Sequence, residues 1–382
     1  MMVAWLVPLL SRKETNPVRK LTIDLGKVAH NLSSMRKHIG PAVKVMGVVK
    51  ADAYGHGMLH VARKIEAEGV DYIGVADMSE AETLRAAGIK TPILAWLHDP
   101  EDDFVSAIKH NIDVAVSSQE QLLRVTKAAA LAAKPCQIHI KVDTGLSRNG
   151  VTIDELEDLL TQAKEAVANG LVQTVGIFSH LSSTGAEEDL VQIERFELAL
   201  AMASKAGVSF ELRHLTASDG TLSYPQAHYD MVRLGIALYG LSPFSDNRAQ
   251  EFGLKPVMLA EAKVVQTKRV QAGEGVSYGY LYRTDRETTL ALVPVGYAEG
   301  LPRNASGKAE VSINGKLYKI HSRIAMDQFV VDVGDASVSP GDTVIIFGEG
   351  GLSADDLATA ADTINYEIVT RIGSRFNREY IG

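Results

Sequence analysis

Lys50 closes an apolar, β-branched run (Val43, Val45, Val48, Val49) and is followed at once by Ala-Asp-Ala-Tyr-Gly-His-Gly. This is the pattern of a buried strand entering a loop at its C-terminal end. A buried strand excludes charge. An ammonium there either reaches water or sits in a pocket that lowers its pKa, where the neutral amine can act as a nucleophile. Gly55 and Gly57 would let the backbone approach a ligand closely, with the polar tips of Tyr54 and His56 beside it. Composition alone also fits a blander reading of strand, snorkelling lysine and turn. Comparable polar residues stand after other apolar runs: Arg148 in DTGLSRNG after QIHIKV, His180 after TVGIFS, and Ser218 after FELRH. Arg233 lies inside the apolar run MVRLGIALYG. A buried arginine is costly unless it is paired or faces a cavity, so Arg233 is expected to address a ligand or partner.

The elements that must position these residues alternate. LTIDL is a short strand, Lys27 to His38 a helix ending at Gly40, and the Lys50 strand comes next. Strands follow at Asp71 to Ala76, Thr91 to Leu97, Ile112 to Val116, Gln137 to Val142, Thr174 to Ser179, Phe210 to Leu215 and Met231 to Leu238. Helices separate most of them: Met58 to Glu68, Ser79 to Ala87, Asp102 to His110, Gln119 to Ala133, Ile153 to Ala168 and Asp189 to Ala206. Spacing of this kind leaves no room for hairpins and predicts parallel strands. Eight such units predict a (β/α)8 TIM-type barrel, an α/β fold whose chemistry sits at the C-terminal strand ends; a doubly wound sheet is the alternative. Beyond Lys255 short alternating strands take over, with an Asn314-Gly315 hairpin turn, and predict a mostly-β domain. It closes with a capping box at Ser353 and Asp356 and a short helix from Tyr366 to Ile372. The expected organisation is a poorly ordered leader over 1–20, a barrel over 21–253 and a β domain over 254–382.

The 382 residues exceed the length at which one core stops growing, and the formal net charge of -8 comes without any basic block. Nucleic acid is therefore not expected as the main partner. One cysteine, Cys136, allows neither an intramolecular disulfide nor a cysteine-based metal cage, so no metal is expected and a cytoplasmic location fits best. The apolar stretch Val3 to Leu10 is far short of a membrane span.

Taken in order, VVKADAYGHG, KVDTGLSRNG, IFSH, MVRLGIALYG, GEGVSYG, VPVGYAEGLPR, RIAMDQF and INYE closely resemble the motifs of alanine racemases. The resemblance spans nearly the whole chain from Leu21. It implies that Lys50 forms the internal aldimine with pyridoxal 5'-phosphate and serves as the base on one face of the substrate, with Tyr278 as the base on the other. A free phenol titrates near 10, so Tyr278 would need help, which the resemblance assigns to His180 and Arg148. Arg148 would also hold the cofactor's phenolic oxygen or the substrate carboxylate. Arg233 would contact the pyridine nitrogen and, by keeping its own proton, limit side reactions. Tyr54, Ser218, Tyr366 and the backbone amides of Gly235 and Ile236 would hold the phosphate. The Met326 amide would hold the substrate carboxylate, and Tyr297 would line the entrance. Tyr278 lies in the β domain, and the family's arrangement implies a homodimer with composite active sites. Lys141 matches a lysine that is carbamylated in some members. The implied function is interconversion of L- and D-alanine, supplying D-alanine for peptidoglycan.

Three departures stand out. Many relatives have Cys-Met-Asp-Gln where this chain has Ala325 to Gln328, Asn-Ser where it has Ala217-Ser218, and Ala-Asp where it has Ala298-Glu299. Taken singly, Tyr278, Tyr297, Tyr366 and His180 read as ordinary structural residues; their joint order overturns that. His214 is read as structural, Met231 as a packing residue, and the helix 153–168 as a solvated outer face. The alternatives are a broader-specificity amino-acid racemase, a fold-related PLP amino-acid decarboxylase and a non-enzymatic PLP carrier. A decarboxylase would place a carboxylate where Arg233 stands, and a carrier would lack the β domain.

Overall fold

The computed structural model describes residues 17–244 and 249–382. By contacts the chain divides into two compact units. One comprises the described residues of 23–259, 353–372 and 380–382; the other comprises residues 17–22, 260–352 and 373–379. Residues 1–16 of the expected leader lie outside the described residues, whereas Arg19 and Lys20 open a strand, β1 (Arg19–Asp24). The helices that the sequence assigns to the C-terminal domain, Ala354–Ala361 and Asn365–Thr370, group with the barrel.

The first unit is a (β/α)8 barrel. Its strands are β2 (Lys44–Val48), β3 (Tyr72–Val75), β4 (Ile93–Ala95), β5 (Ile112–Val116), β6 (Cys136–Lys141), β7 (Val172–Phe178), β8 (Leu212–His214) and β9 (Met231–Leu234). They pair in parallel in the order β8-β7-β6-β5-β4-β3-β2-β9. The two end strands meet through the bonds from Asp230 N–H to Arg213 O at 3.1 Å and from Arg233 N–H to Thr216 O at 3.0 Å. Inward-facing Met46, Tyr72, Leu94, Ala115, Phe178, Leu212 and Met231 form a buried cluster, as expected for a barrel packed with side chains. The outer helices follow their apolar spacing. Val28, Leu32, Met35 and Ile39 face inward on Leu25–Ile39, whose N-terminus is capped by the Asp24 carboxylate accepting from Lys27 N–H. The helix Ile153–Ala168 buries Leu156, Leu159, Leu160 and Ala163.

MVRLGIAL does not continue as a strand. β9 ends at Leu234, and after Gly235 the chain winds into a 3-10 turn over Ile236–Tyr239. A Cβ at Gly235 would lie 2.4 Å from Tyr54 Oη, so the bend and the missing side chain together make room for that hydroxyl.

The second unit is built of antiparallel strands, among them the hairpin Glu310–Ile313 and Lys316–Lys319. Asn314 and Gly315 turn that hairpin with φ of 52° and 77°, the left-handed pair that a two-residue turn requires. Gln266–Val270, Thr288–Val293 and Phe329–Gly334 form a separate three-stranded sheet. The capping box forms as expected: Ser353 Oγ accepts from Asp356 N–H at 3.0 Å, and Asp356 Oδ2 accepts from Ser353 N–H at 3.1 Å. Asn377–Ile381 is a strand that the sequence reading does not contain.

Candidate active site

The segment after β2 is not a loop. Ala51, Asp52, Ala53 and Tyr54 all have φ near +53°, forming one left-handed turn closed by bonds from Ala53 N–H to Val49 O and from Gly55 N–H to Ala51 O. L-residues resist this conformation by about 1–2 kcal/mol each, so four in succession are held by their surroundings. Asp52 Oδ1 accepts from Met58 N–H at 2.8 Å, and Glu80 Oε1 accepts from Ala51 N–H at 2.6 Å. The turn begins at Lys50 and ends with Tyr54, so both side chains are set by one strained element.

Nine of the residues picked from the sequence line one cavity of about 560 Å³: Lys50, Tyr54, Arg148, His180, Ser218, Arg233, Gly235, Ile236 and Tyr366. They come from the mouths of β2, β6, β7, β8 and β9 and from the helix Asn365–Thr370. Lys50 Nζ sits 6.0 Å from the centre of the Trp96 ring. Burial, and then the Arg148 guanidinium, push its pKa down, with Arg233 adding to the effect and Glu80 opposing it. Lys141 lines the same cavity. Burial and then Arg233 lower its pKa to about 8.

Arg233 is almost wholly buried and caged by acceptors. Nη1 donates to His214 O at 2.9 Å and to His214 Nδ1 at 3.1 Å. Nη2 donates to Ser179 O at 2.7 Å, to Leu215 O at 2.8 Å and to His180 Nδ1 at 3.2 Å. Among the described residues Nε has no such bond. Since a guanidinium only donates, His180 Nδ1 accepts and its proton is on Nε2. Burial, reinforced by Arg233, drives the His180 pKa well below its ordinary value, so the ring is neutral.

At the other end of the cavity Ser218 Oγ accepts from Gly235 N–H at 3.1 Å and Ala237 N–H at 3.3 Å. The Gly235 amide is thus already engaged. The Ile236 amide and the Tyr54 and Tyr366 hydroxyls make no hydrogen bond to a described residue. Burial raises the pKa of both phenols, which keeps them protonated. Among the described residues four cations, Lys50, Lys141, Arg148 and Arg233, face the cavity against the single carboxylate of Asp219. A cationic cavity with spare O–H and N–H donors fits a ligand carrying a phosphate and a carboxylate. The nucleophilic amine fits one that also carries an aldehyde.

The three remaining residues belong to the other unit. Tyr278 is 72 % exposed and lines a shallow hollow with Ser277, Tyr280, Ala325 and Gln328. Met326 and Tyr297 are also exposed. They are tied together locally, since Tyr297 N–H donates to Ala325 O and Ala298 N–H to Met326 O. The sequence reading missed Trp96 and Phe178. Both stand at the ends of the runs TPILAWL and TVGIFS, where the signal that found His180 was also present.

A (β/α)8 barrel that gathers at its strand mouths a lysine of lowered pKa, buried cations and donors with no partner among the described residues has a site built for an anionic, amine-reactive ligand. The comparisons narrow the class to an isomerase. Residues 23–243 match the model of the alanine racemase N-terminal domain, and residues 257–380 that of the alanine racemase C-terminal domain. The alanine racemase of Salinispora tropica is 45 % identical over 370 residues, covering 95 % of this chain and 98 % of that protein. Among solved structures, the alanine racemase of Streptomyces lavendulae aligns with a TM-score of 0.94 at 43 % identity, covering 97 % of this chain and 98 % of that one. That of Streptomyces coelicolor aligns at 0.93 and 41 %, covering 95 % and 98 %. The chain belongs to the alanine racemase family.

Proposed function

We propose that this protein interconverts L- and D-alanine with pyridoxal 5'-phosphate held in the barrel cavity, by a two-base mechanism. The observation that carries the reading is the convergence of nine residues, Lys50 among them, on one cationic cavity. Bound there, the cofactor would supply a conjugated sink for the charge left on the α-carbon when its proton leaves. Lys50, whose amine is pushed toward neutrality, holds the cofactor and moves a proton at one face of that carbon. Tyr54, Ser218, Tyr366 and the Ile236 amide hold the phosphate. The Gly235 amide contributes through Ser218, whose oxygen it orients. Arg148 holds the phenolic oxygen or the substrate carboxylate. Arg233 presents Nε–H to the ring nitrogen and retains its proton, because even its burial-lowered pKa of about 10 lies above the working range.

Tyr278 moves the proton at the opposite face, contributed by a second copy of the chain in a homodimer, with Met326 binding substrate and Tyr297 at the entrance. The exposure of Tyr278, Tyr280, Leu281, Tyr297 and Met326 supports an interface on that unit. Supply of D-alanine for peptidoglycan in the cytoplasm is the role that fits this activity. Among the described residues no helix is long and apolar enough to cross a membrane. The test is to follow α-proton exchange and optical rotation of L-alanine in heavy water against a panel of amino acids. Exchange with racemisation confined to alanine supports the reading. Racemisation across the panel would favour a broad-scope racemase, and loss of carbon dioxide a decarboxylase.

A further inference from the structure

Five buried polar side chains run through the barrel interior to the cavity, and the proposed function uses only the last. Tyr72 Oη donates to Asp113 Oδ2 at 2.8 Å, and His139 Nε2 faces the same oxygen at 3.5 Å. His139 Nδ1 and His214 Nε2 are 3.0 Å apart, and His214 Nδ1 lies 3.1 Å from Arg233 Nη1. None of the five is more than 8 % exposed, so their alternative partners are not in bulk water.

Elementary chemistry fixes the protons. Arg233 can only donate, so His214 Nδ1 accepts and the His214 proton is on Nε2. That proton is donated to His139 Nδ1, which places the His139 proton on Nε2, the nitrogen that stands 3.5 Å from Asp113 Oδ2 at ion-pair distance. Each hydrogen bond in the chain, Tyr72 to Asp113, His214 to His139 and Arg233 to His214, then has one donor and one acceptor.

The backbone is adapted to the imidazoles. The β6–β7 register slips between Ile138 and His139, and the residue paired with His139 is Gly176. A Cβ at Gly176 would lie 2.2 Å from His139 Nδ1, so any side chain there would push the ring off His214. Phe178 stacks on His214 with centroids 4.7 Å apart and planes within 4°. Placing two imidazoles and a carboxylate where aliphatic side chains would pack costs free energy that the bonds among them only offset.

From this geometry we infer that Asp113, His139 and His214 are a positioning relay for Arg233: the guanidinium at one end and the carboxylate at the other favour the same tautomer in each imidazole, and His214 offers the guanidinium a directional acceptor that leaves Nε–H for the cavity. Backbone carbonyls alone would hold the charge, but they would not set the tautomers. The inference rests on the functional reading only for what Arg233 meets in the cavity. His214 is accordingly a positioning residue as well as a structural one.

The experiment compares holoenzyme labelled with 15N-histidine against Asp113→Asn, His214→Leu and His214→Asn. In the wild type His139 and His214 should both give the Nε2–H tautomer, with and without cofactor. Asp113→Asn should weaken the preference of His139 for its Nε2–H tautomer, shift the visible band of the bound cofactor, and lower kcat about tenfold with KM within about twofold. His214→Asn, which keeps an acceptor near the position of Nδ1, should recover most of the kcat lost in His214→Leu. A His214 carrying its proton on Nδ1 overturns the relay. So does a folded Asp113→Asn protein with unchanged tautomers, band and kcat. The tautomer measurement needs no cofactor, so a protein that fails to racemise alanine refutes the functional reading while the relay is still decided.

Discussion

Replacing Tyr54 by phenylalanine removes one oxygen and separates two roles that most substitutions confound. The Tyr54 ring packs against Tyr239 with centroids 4.8 Å apart and lies 6.1 Å from Tyr366, contacts that phenylalanine keeps. The hydroxyl has no hydrogen bond to a described residue. It projects into the space that Gly235 leaves open. Loss of an oxygen without a protein partner should change the stability of the cofactor-free protein by less than about 1 kcal/mol. A hydroxyl bonded to a phosphate dianion contributes roughly 1.5–3 kcal/mol, so affinity for pyridoxal 5'-phosphate should fall roughly 10- to 150-fold. The assay is absorbance titration of cofactor-free protein, paired with thermal unfolding. Pyridoxal, which lacks the phosphate, serves as control and should bind both proteins alike. Gly235→Ala should lose affinity similarly, because its Cβ would displace the hydroxyl, and should lose stability as well. Unchanged affinity in Tyr54→Phe, or equal losses for pyridoxal and its phosphate, would refute the placement of this hydroxyl on the phosphate.

Other consequences are as direct. Lys141 has its pKa lowered by burial from 10.5 to about 8, so between those values the unfolded chain holds a proton that the folded one has released. Stability should therefore rise with pH across that window, and below pH 8 the penalty is present in full, about 3 kcal/mol at most. Lys141→Met should stabilise cofactor-free, bicarbonate-free protein below pH 8, with the advantage closing by about pH 10.5; denaturant titrations at several pH values check this, and an advantage independent of pH would refute it. Borohydride should fix the cofactor of wild-type protein irreversibly, and Lys50→Ala should lose both the visible band and activity; a surviving band would move the attachment elsewhere. Lys50→Ala and Tyr278→Phe chains, each inactive, should recover about a quarter of wild-type activity when mixed dimers assort at random. Mixed dimers that form but stay inactive would exclude shared sites.

Much of the barrel is legible in the chain because its signals are local. Apolar spacing switches between two and 3.6 residues, and glycines or polar clusters mark the changes, so all eight parallel strands fall within a few residues of their expected places. Short strands are read less well at their ends. Phe210 to Leu215 contracts to Leu212–His214, and the run from Met231 breaks at Gly235, because pairing rather than composition decides where a strand stops. The left-handed turn over Ala51 to Tyr54 gives no local sign. None of its four residues is a glycine, and the anchors that hold it, Met58 N–H on Asp52 and Glu80 on Ala51, lie six and 29 residues apart.

The sequence by itself singled out Lys50, Arg148, His180, Ser218 and Arg233, polar residues that line one cavity, since a charged or polar side chain at the end of an apolar run or within one is costly wherever it is not used. It determined the fold class for the same reason that it determined the strands. Only the tertiary structure decided that the helices after Ser353 group with the barrel and bring Tyr366 to the cavity, and which polar side chains inside the strands meet. Asp113 and His139 interrupt apolar strands as Arg233 does, yet only the strand register places His139 against Gly176 and within 3.0 Å of a histidine 75 residues away. Burial of a polar group can be read from one residue and its neighbours. Its hydrogen-bond partner is set by the closure of the whole sheet.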